Sequence, residues 1–393
     1  MSENAAVQGT RIELCASALR RNLRFIRGRI GDSCELCSVV KGDAYGHGIS
    51  TFVPLAESCG VRNFACFSAA EAQRVLASFS RADSSVMIMG DIEDHELPWA
   101  VQQGVAFWVF DIPRLEAAVE AARSVGGVAR VHLELETGLN RTGLDLVQLE
   151  EAAGHILAAG PSVLVEGVCT HLAGAESVAN LARIQAQLER FESTAVFLRE
   201  RGIHPRLRHT ACSAAALRYP ETSMDMVRIG IAQYGFWPSA EIRIDHLQRQ
   251  GDGPGRPPDP LRRVLRWCSR IMSLKQLPRG QFVGYGTAYL TSRRQRIAVV
   301  PVGYAHGYFR SLSNQGHVLV RGRRAPVVGL VNMNMLMVDV TDCPGVGRGD
   351  EVVVVGKQGR REITVASFSD WTRLLNYELL TRISADIPRV VVR

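Results

Sequence analysis

The chain has 393 residues, of which 46% are hydrophobic and 22% charged, and its formal net charge is +7 at pH 7. These values are typical of an ordinary soluble globular protein with room for two domains and a large core. No apolar stretch approaches the length of a membrane span, and the N-terminus lacks the basic-then-apolar layout of a secretory signal, so we expect a cytoplasmic protein with no membrane partner.

The cysteines are odd in number and scattered. Nine of them lie between Cys15 and Cys343, which argues against a disulfide framework and for reduced thiols. Cys34 and Cys37 form a lone CxxC pair, and no second pair follows at the spacing of a zinc site. We interpret both as small core residues and expect no metal site.

Two basic runs, at 292–296 and 321–326, raise nucleic acid as a partner. Both runs lie between strand-like segments and carry no interleaved aromatic residues. We interpret them as solvated strand ends and expect no nucleic-acid partner. A mildly basic chain would still attract small anionic ligands.

From about residue 35 to 239, short apolar runs alternate with helical patterns. The strand candidates, in chain order, are "ELCSVV", "NFACFS", "SSVMIMG", "VAFWVF", "ARVHLEL", "VLVEGVCT", "PRLRHT" and "DMVRIGIAQYG". The helix candidates between them are "AAEAQRVLASF", "IPRLEAAVEAARSV", "LVQLEEAAGHILAAG" and an apolar stripe from Leu181 to Leu198. Eight strands in about 200 residues predict an α/β fold, a (β/α)₈ barrel. A doubly wound open sheet is the competing fold, but no G-x-G-x-x-G follows the first strand.

Polar residues stand where the predicted strands stop. They are Lys41, Ser68, Asp91, Asp111, Glu136, His171, Ser213 and Arg228. The catalytic groups of barrels collect at this end of the strands, although Ser and Asp also serve there as helix caps. We interpret Ser68, Asp91 and Asp111 as caps or turn residues, an interpretation that does not account for Lys41, His171 or Arg228.

The sequence pattern changes between the two predicted domains, from alternating strands and helices to short β-like runs. We place the barrel at 10–240, a Gly- and Pro-rich linker or loop at 241–260, and a mostly β domain at 261–393. Short β-like runs with Gly-rich connections, such as "RIAVVPVGY" and "EVVVVG", fill the last domain.

Lys41 ends an apolar strand and begins "KGDAYGHG". At the mouth of a barrel, partial desolvation would lower the pKa of its amine and make it a nucleophile able to form a Schiff base with an aldehyde cofactor such as pyridoxal phosphate. From position alone, a lysine that merely extends past a strand end into solvent is the better interpretation.

A series of further motifs, in one order along the chain, favours the cofactor-binding interpretation of Lys41 over the solvent-exposed one. "VVKGDAYGHG" resembles the cofactor-lysine signature of the alanine racemases, pyridoxal-phosphate enzymes built from a (β/α)₈ barrel and a β domain. The resemblance continues through "VEGVCTHLAGAES", "RHTACSAAAL", "DMVRIGIAQYG", "VGYGTAYLT", "VGYAHGYFR", "VGLVNMNMLMVDVTD" and "NYELLTRISADIPRVV". It covers nearly the whole chain.

The resemblance implies that Lys41 binds pyridoxal phosphate covalently. The residues implied to hold the phosphate are Tyr45, Ser213, Gly230, Ile231 and Tyr377. His171 would pack against the ring, Arg228 would meet the ring nitrogen, and Arg141 would meet the phenolic oxygen.

Inversion at Cα needs a proton removed from one face and delivered on the other, and the resemblance implies Lys41 and Tyr285 as the two bases. It further implies that Met333 contacts the substrate carboxylate and that Tyr304 lies near the entrance. A head-to-tail homodimer is implied, in which Tyr285 and Met333 of one chain serve the lysine of the other. The expected reaction is the interconversion of L- and D-alanine, which supplies D-alanine for cell-wall precursors.

Four positions depart from the family pattern. Glu134 stands where members often have a lysine modified to a carbamate, and as an anion it would do the same work of positioning Arg141. Asn140 replaces a common glycine, whereas Asn334 and His306 each replace a common aspartate. These departures leave the chemistry intact but do not fix which side chain the substrate carries, so that serine is an alternative to alanine.

Two further alternatives come from other protein classes. A barrel-type pyridoxal-phosphate decarboxylase would need a glycine-rich phosphate segment and a C-terminal cysteine-aspartate pair, neither of which we find. A non-catalytic pyridoxal-phosphate carrier would be a single barrel without the β domain, and "VGYGTAYLT" argues against it.

Overall fold

A computed structural model of the chain describes residues 9–249, 258–367 and 376–393. The described residues fall into two compact units. The barrel unit comprises Ala18–Gly42 and Val53–Arg262, and the second unit comprises Met1–Ser17, Asp43–Phe52 and Arg263–Arg393.

Strands and helices alternate through the first two thirds of the chain. They are β1 Arg11–Cys15, α1 Ala16–Ile30, β2 Glu35–Val39, α2 Lys41–Tyr45, α3 Ile49–Ser58, β3 Asn63–Cys66, α4 Ala69–Ser78, β4 Ser85–Ile88, α5 Leu97–Gln102, β5 Ala106–Val109, α6 Ile112–Val125, β6 Ala129–Glu134, α7 Leu146–Ala159, β7 Val163–Cys169, α8 Leu181–Glu200, β8 Leu207–His209, α9 Ser213–Arg218, β9 Met226–Ile229 and α10 Ala240–Arg249.

Strands β2 to β9 form one parallel sheet in the order β8-β7-β6-β5-β4-β3-β2-β9. The two end strands also meet, because the Arg228 N–H donates to the Ala211 carbonyl at 2.9 Å and the Asp225 N–H donates to the Arg208 carbonyl at 3.1 Å. The sheet is therefore a nearly closed barrel. The predicted (β/α)₈ barrel is confirmed, with a strand at each of the eight predicted places, and the open sheet is wrong.

The barrel strands are apolar runs because both of their faces are covered. Every residue of β5 is buried, with helices on the outer side and packed side chains within. Two of the polar residues at strand ends are helix caps, as predicted. The Ser68 hydroxyl accepts from the Glu71 N–H at 3.4 Å, and the Asp111 carboxylate accepts from the Arg114 N–H at 2.9 Å.

The second unit is mostly β, as predicted. Its remaining elements are β10 Leu265–Arg270, β11 Ser273–Leu277, β12 Gln295–Val300, β13 His317–Val320, β14 Arg323–Pro326, β15 Leu336–Asp339, β16 Glu351–Gln358, β17 Arg361–Ile363, α11 Asn376–Thr381 and β18 Arg389–Val392. One sheet has the order β14-β13-β16-β10-β1-β18, with β17 paired to β16, and a second sheet has the order β11-β12-β15.

Strand β1 belongs to this second unit, although the predicted barrel range began at residue 10. It pairs with β10 antiparallel and with β18 parallel. Glu13 reinforces the pairing through an ion pair to Arg266 of β10 at 2.7 Å. The partners of β1 lie some 250 residues or more along the chain, and no local pattern reports such a pairing.

The segment predicted as a linker, 241–260, begins as helix α10 instead. Ile242 and His246 are four residues apart and both are buried, which gives the helix a buried side. The Ser239 hydroxyl accepts from the Ile242 N–H at 3.2 Å and caps its first turn. Residues 250–257 of the predicted linker lie outside the described residues.

All nine cysteines are free. Cys34 and Cys37 are buried, and burial raises the pKa of their thiols to about 11 and about 12, so both are unreactive core residues, as interpreted from the sequence. Among the helices that the structure describes, none is both long enough and apolar enough to cross a membrane.

Candidate active site

Lys41 is followed by a left-handed helical turn. From Gly42 to Gly46 every φ lies between 52° and 75°, and three of these five residues are not glycine. Each L-residue in this conformation costs roughly 1–2 kcal/mol, so the surrounding structure must hold it. Asp43 does part of this work, because its carboxylate accepts from the Ile49 N–H at 3.1 Å and its carbonyl from the Gly48 N–H at 2.8 Å.

Glu71 of α4 fixes the start of the turn. Its carboxylate accepts from the Gly42 N–H at 2.7 Å and from the Phe67 N–H at 2.9 Å. The residue next to Lys41 is thereby tied to the end of β3. The backbone of Lys41 is held firmly, while its side chain is partly open to solvent.

The Lys41 amine lies in a cationic neighbourhood. Partial burial lowers its pKa, the guanidinium groups of Arg141 and Arg228 lower it further, and the carboxylate of Glu71 acts in the opposite sense. A lowered pKa gives a larger fraction of neutral amine near pH 7, which is what a nucleophile or a proton acceptor needs.

Arg228 is buried within β9 and held by protein acceptors. Its Nη1 donates to the His209 ring and, at 2.7 Å, to the His209 carbonyl. Its Nη2 donates to the carbonyls of Thr170, at 2.7 Å, and Thr210, at 3.2 Å. None of these hydrogen bonds uses Nε. The guanidinium also lies 5.2 Å from the centre of the Trp108 ring.

We expect Arg228→Gln to lower the free energy of unfolding by about 3–5 kcal/mol, because it leaves buried carbonyl oxygens without a donor. Urea denaturation measures the change. Arg208→Gln is the matched control, since Arg208 lies on the neighbouring strand β8 but pairs with acids at a partly exposed site. Equal losses in the two variants would contradict this account.

A chain of buried imidazoles extends from Arg228. The guanidinium only donates, so Nδ1 of His209 is an acceptor and its Nε2 carries the proton that is donated to Nδ1 of His132 at 2.8 Å. His132 needs the glycine at position 167, where a Cβ would lie 2.2 Å from its Nδ1. Both rings are neutral because burial lowers the pKa of His132 to about 4 and that of His209 well below its usual value.

These neutral histidines make stability depend on pH. Their pKa values in the folded chain lie below the unfolded value near 6.5, so the unfolded chain takes up more protons as the pH falls. Their contribution is complete above about pH 6.5 and is lost as the pH falls towards the folded values. We expect the free energy of unfolding to drop by about 2 kcal/mol for each such histidine between about pH 7 and about pH 5.

Denaturant unfolding at the two pH values tests this dependence. His132→Asn keeps an acceptor for His209 and removes one titrating ring, so the drop should shrink. His155→Asn replaces a partly exposed histidine and should leave the drop as in the parent chain. A drop of the same size in all three proteins would contradict the assignment.

His171 follows β7. Burial, and after it the charges of Arg228, Arg141 and Lys41, together lower its pKa to about 3. The structure thus places four of the predicted site residues, Lys41, Arg141, His171 and Arg228, within electrostatic range of one another at the carboxyl end of the barrel strands.

Ser213, Gly230 and Ile231 also come together there. The Ser213 hydroxyl accepts from the Gly230 N–H at 3.0 Å and from the Ala232 N–H at 3.4 Å. Ser213 and Ile231 are both buried. The backbone after β9 therefore lies around the Ser213 hydroxyl, and the role of these residues towards a phosphate stays a prediction.

Arg141 lies on the loop between β6 and α7, above Glu134. Its Nη2 is 3.9 Å from Oε1 of Glu134, which ends β6 and is 1% exposed. Burial raises the pKa of Glu134, while the Thr142 hydroxyl and the guanidinium groups of Arg141 and Arg228 oppose that rise. Oε2 of Glu134 has no hydrogen-bond partner among the described residues.

Two departures from the family pattern have a local structural cause. Asn140 has φ +58°, and asparagine is the side chain that best tolerates the left-handed conformation after glycine. His306 closes the turn that carries Tyr304, because its Nδ1 accepts from the Gly303 N–H at 3.1 Å.

The remaining predicted residues lie in the second unit. Tyr285 stands between Gly284 and Gly286, both with positive φ, and its side chain is 70% exposed. Tyr304 and Met333 lie on adjoining segments, because the Tyr304 N–H donates to the Asn332 carbonyl at 3.0 Å and the Ala305 N–H donates to the Met333 carbonyl at 2.9 Å. Both side chains are exposed.

Tyr45 and Tyr377 face each other within the second unit, with ring centres 6.0 Å apart. Gly46 permits the approach of α11, since a Cβ there would lie 1.9 Å from the Leu380 carbonyl oxygen. The structure therefore pairs the two tyrosines that the sequence predicts to bind the phosphate.

Sequence reasoning missed Glu71, His209 and His132. Glu71 reads as an ordinary helix residue, and its acceptor role depends on the turn at Gly42. The two histidines occupy separate strand candidates, and only the sheet order brings them together.

The residues present fit pyridoxal phosphate. The site offers a primary amine at Lys41, an imidazole at His171, a hydroxyl at Ser213 and an Nε–H at Arg228. The hydrogen bonds described for Arg228 use Nη1 and Nη2 and not this Nε–H. Each group has a counterpart in pyridoxal phosphate. In the same order, these counterparts are its aldehyde, its aromatic ring, its phosphate and its ring nitrogen.

Comparison with known proteins gives one consistent result. Residues 14–238 match the family model "Alanine racemase, N-terminal domain", and residues 264–391 match "Alanine racemase, C-terminal domain". The chain is 36% identical over 377 residues to an alanine racemase of Symbiobacterium thermophilum, covering 96% of this chain and 95% of that one. It is 34% identical over 385 residues to one of Leptospira interrogans, with coverage of 97% and 95%.

Solved structures agree. An alanine racemase of Streptomyces coelicolor superposes with a TM-score of 0.87 at 33% identity, over 98% of this chain and 99% of that one. The alanine racemase of Bacillus anthracis with bound L-Ala-P superposes with a TM-score of 0.86 at 30% identity, over 98% and 95%.

Proposed function

This chain belongs to the alanine racemase family, and on that premise we propose that it interconverts L- and D-alanine with pyridoxal phosphate as its cofactor. The observation that carries the proposal is the meeting of an amine, two guanidinium groups and an imidazole at the carboxyl end of the barrel strands. The reaction would supply D-alanine in the cytoplasm.

When bound, pyridoxal phosphate withdraws electrons from the substrate and makes its Cα proton acidic. Lys41 would hold the aldehyde carbon, and His171 would pack on the ring. The phosphate would be held by Ser213, Gly230, Ile231, Tyr45 and Tyr377. Arg141 would meet the phenolic oxygen.

Arg228 would tune the cofactor. Guanidinium stays protonated at any working pH, so its Nε–H can only donate and would leave the ring nitrogen unprotonated. The hydrogen bonds from Nη1 and Nη2 prevent the group from turning away. His209 and His132 support it without adding charge.

Proton transfer would be divided between two faces. Neutral Lys41 would take or return the Cα proton on one face, and Tyr285 of a second copy of the chain would serve the other. Met333 and Tyr304 would border the substrate. The exposure of Tyr285 and Met333 on a single chain supports a homodimer in which each copy completes the site of the other.

Glu134 would act as the anion that positions Arg141. Burial raises the pKa of its carboxyl group, but the Arg141 guanidinium 3.9 Å away opposes that rise and favours the anion, which needs no modification to carry charge. The conformation of Asn140 explains that departure without a larger substrate, so alanine remains the favoured amino acid and serine the alternative. The chain has a second unit, which carries Tyr285, and this argues against a non-catalytic pyridoxal-phosphate carrier made of a single barrel.

Proton exchange at Cα tests the proposal. The protein loaded with pyridoxal phosphate is given a panel of L- and D-amino acids in heavy water, and deuterium entry and chirality are followed together. Exchange with inversion, fastest on alanine, is the expected result. Inversion mainly of serine would replace the substrate, and no exchange on any amino acid would overturn the proposal.

A further inference from the structure

One face of helix α8 meets two loops of the candidate site. Arg183, Gln187 and Arg190 recur at four- and three-residue steps and so share that face. The first loop, 135–141, leads to Arg141, and the second, 170–173, contains His171. The sequence pattern predicts only an apolar stripe on this helix.

Gln187 is buried, 1% exposed, and its amide touches both loops. Its Oε1 accepts from the Ala173 N–H at 2.8 Å. Its Nε2 donates to the His171 carbonyl and to the Thr137 hydroxyl, both at 3.1 Å. A backbone N–H needs an oxygen and a carbonyl needs a donor, so the orientation of the amide is fixed.

The hydroxyls beyond Gln187 form an ordered chain. Thr170 donates to the Leu135 carbonyl at 2.9 Å, so at the 2.7 Å contact between the two hydroxyls Thr137 is the donor. Thr137 then accepts from Gln187. The Leu135 carbonyl at one end and the Gln187 amide at the other fix the direction of each proton, and the Thr170 carbonyl accepts from Arg228.

The two arginines hold the backbone of the first loop. Arg190 donates to the Thr137 carbonyl at 3.1 Å, and Arg183 donates to the Gly138 carbonyl at 2.7 Å. Gly138 has φ +130°, and a Cβ there would lie 3.1 Å from the Arg190 side chain. The loop lies close against the helix.

We propose that Gln187 is a positioning residue that sets the loop of Arg141 and the loop of His171 together, so that neither group can shift alone. The proposal rests on the proposed function, which gives Arg141 and His171 their roles towards the cofactor. Gln187 itself touches neither cofactor nor substrate, and it acts through the two loops.

The test compares Gln187→Met, which keeps the length of the side chain and removes its polar atoms, with Gln185→Met, the same change at an exposed position of the same helix. Hydrogen exchange of the cofactor-free protein is measured by mass spectrometry. Each lost hydrogen bond should speed exchange about fivefold in 135–141 and 171–173 alike. In the loaded enzyme, kcat/KM for alanine should fall about tenfold or more.

Gln187→Glu separates positioning from general loosening. It keeps an oxygen for the Ala173 N–H but removes the donor to Thr137 and His171, so the Ala173 amide should stay protected while 135–141 exchanges faster. For Gln187→Met, faster exchange along α8 itself, in only one loop, or in neither would overturn the proposal, and so would an unchanged kcat/KM. If the parent chain does not racemise alanine, the proposed function fails, whereas exchange in the two loops still decides their coupling.

Discussion

Lys41→Ala should lower alanine racemisation by at least about 10⁴-fold, because one substitution removes both the group that holds the cofactor and one of the two bases. A coupled assay for D-alanine formation measures the loss. Added methylamine should restore part of the rate, since a small amine can enter the space of the missing side chain and take up the proton. Such rescue would also show that the variant is folded.

The chain offers a matched control. It has only three lysines, Lys41, Lys275 and Lys357. Lys275 is exposed on β11, so Lys275→Ala should leave the rate within twofold of the parent. Loss of general acid-base catalysis alone lowers a rate by about 10²-fold or more. The account therefore fails if Lys41→Ala keeps more than about a hundredth of the parent rate.

Tyr285→Phe should slow racemisation in both directions by about 10²–10⁴-fold, because the change removes the phenol and keeps the ring. Lys41 remains, so one enantiomer of alanine should still exchange its Cα proton with heavy water while its configuration is retained. Exchange without inversion is the signature of a site that has lost one of two bases. Deuterium entry and optical rotation, measured in one reaction, report both quantities.

Tyr289→Phe makes the same chemical change four residues away. The Tyr289 hydroxyl accepts from Gln295 at 2.8 Å, so that variant should lose some stability but keep its rate. Equal exchange of both enantiomers with full inversion in Tyr285→Phe would contradict the two-base assignment.

The barrel was predictable because its signals are local. Each strand is a short apolar run and each helix an apolar stripe, and both patterns are set by what covers the element. Strand β1 and helix α10 were not predictable in the same way. The partners of β1 are far along the chain, and the polar surface of α10 hides two buried residues, Ile242 and His246.

The candidate catalytic and cofactor-binding residues were predictable from motifs, but the residues that position them were not. "KGDAYGHG" indicates a turn with room for a ligand, yet the left-handed conformation of Ala44 and Tyr45 follows no residue preference. The link from Arg228 through His209 to His132 joins strands β9, β8 and β6, and needs their order in the sheet. No motif in the sequence marks Gln187, whose role depends on the two loops that it contacts.

The most direct test of the account is to find where pyridoxal phosphate attaches. The loaded protein is reduced with borohydride, which makes the bond between cofactor and lysine permanent, and its peptides are then mapped by mass spectrometry. The account predicts the pyridoxyl group on Lys41, with Lys275 and Lys357 unmodified. Attachment at either of the other lysines, or at none, would contradict it.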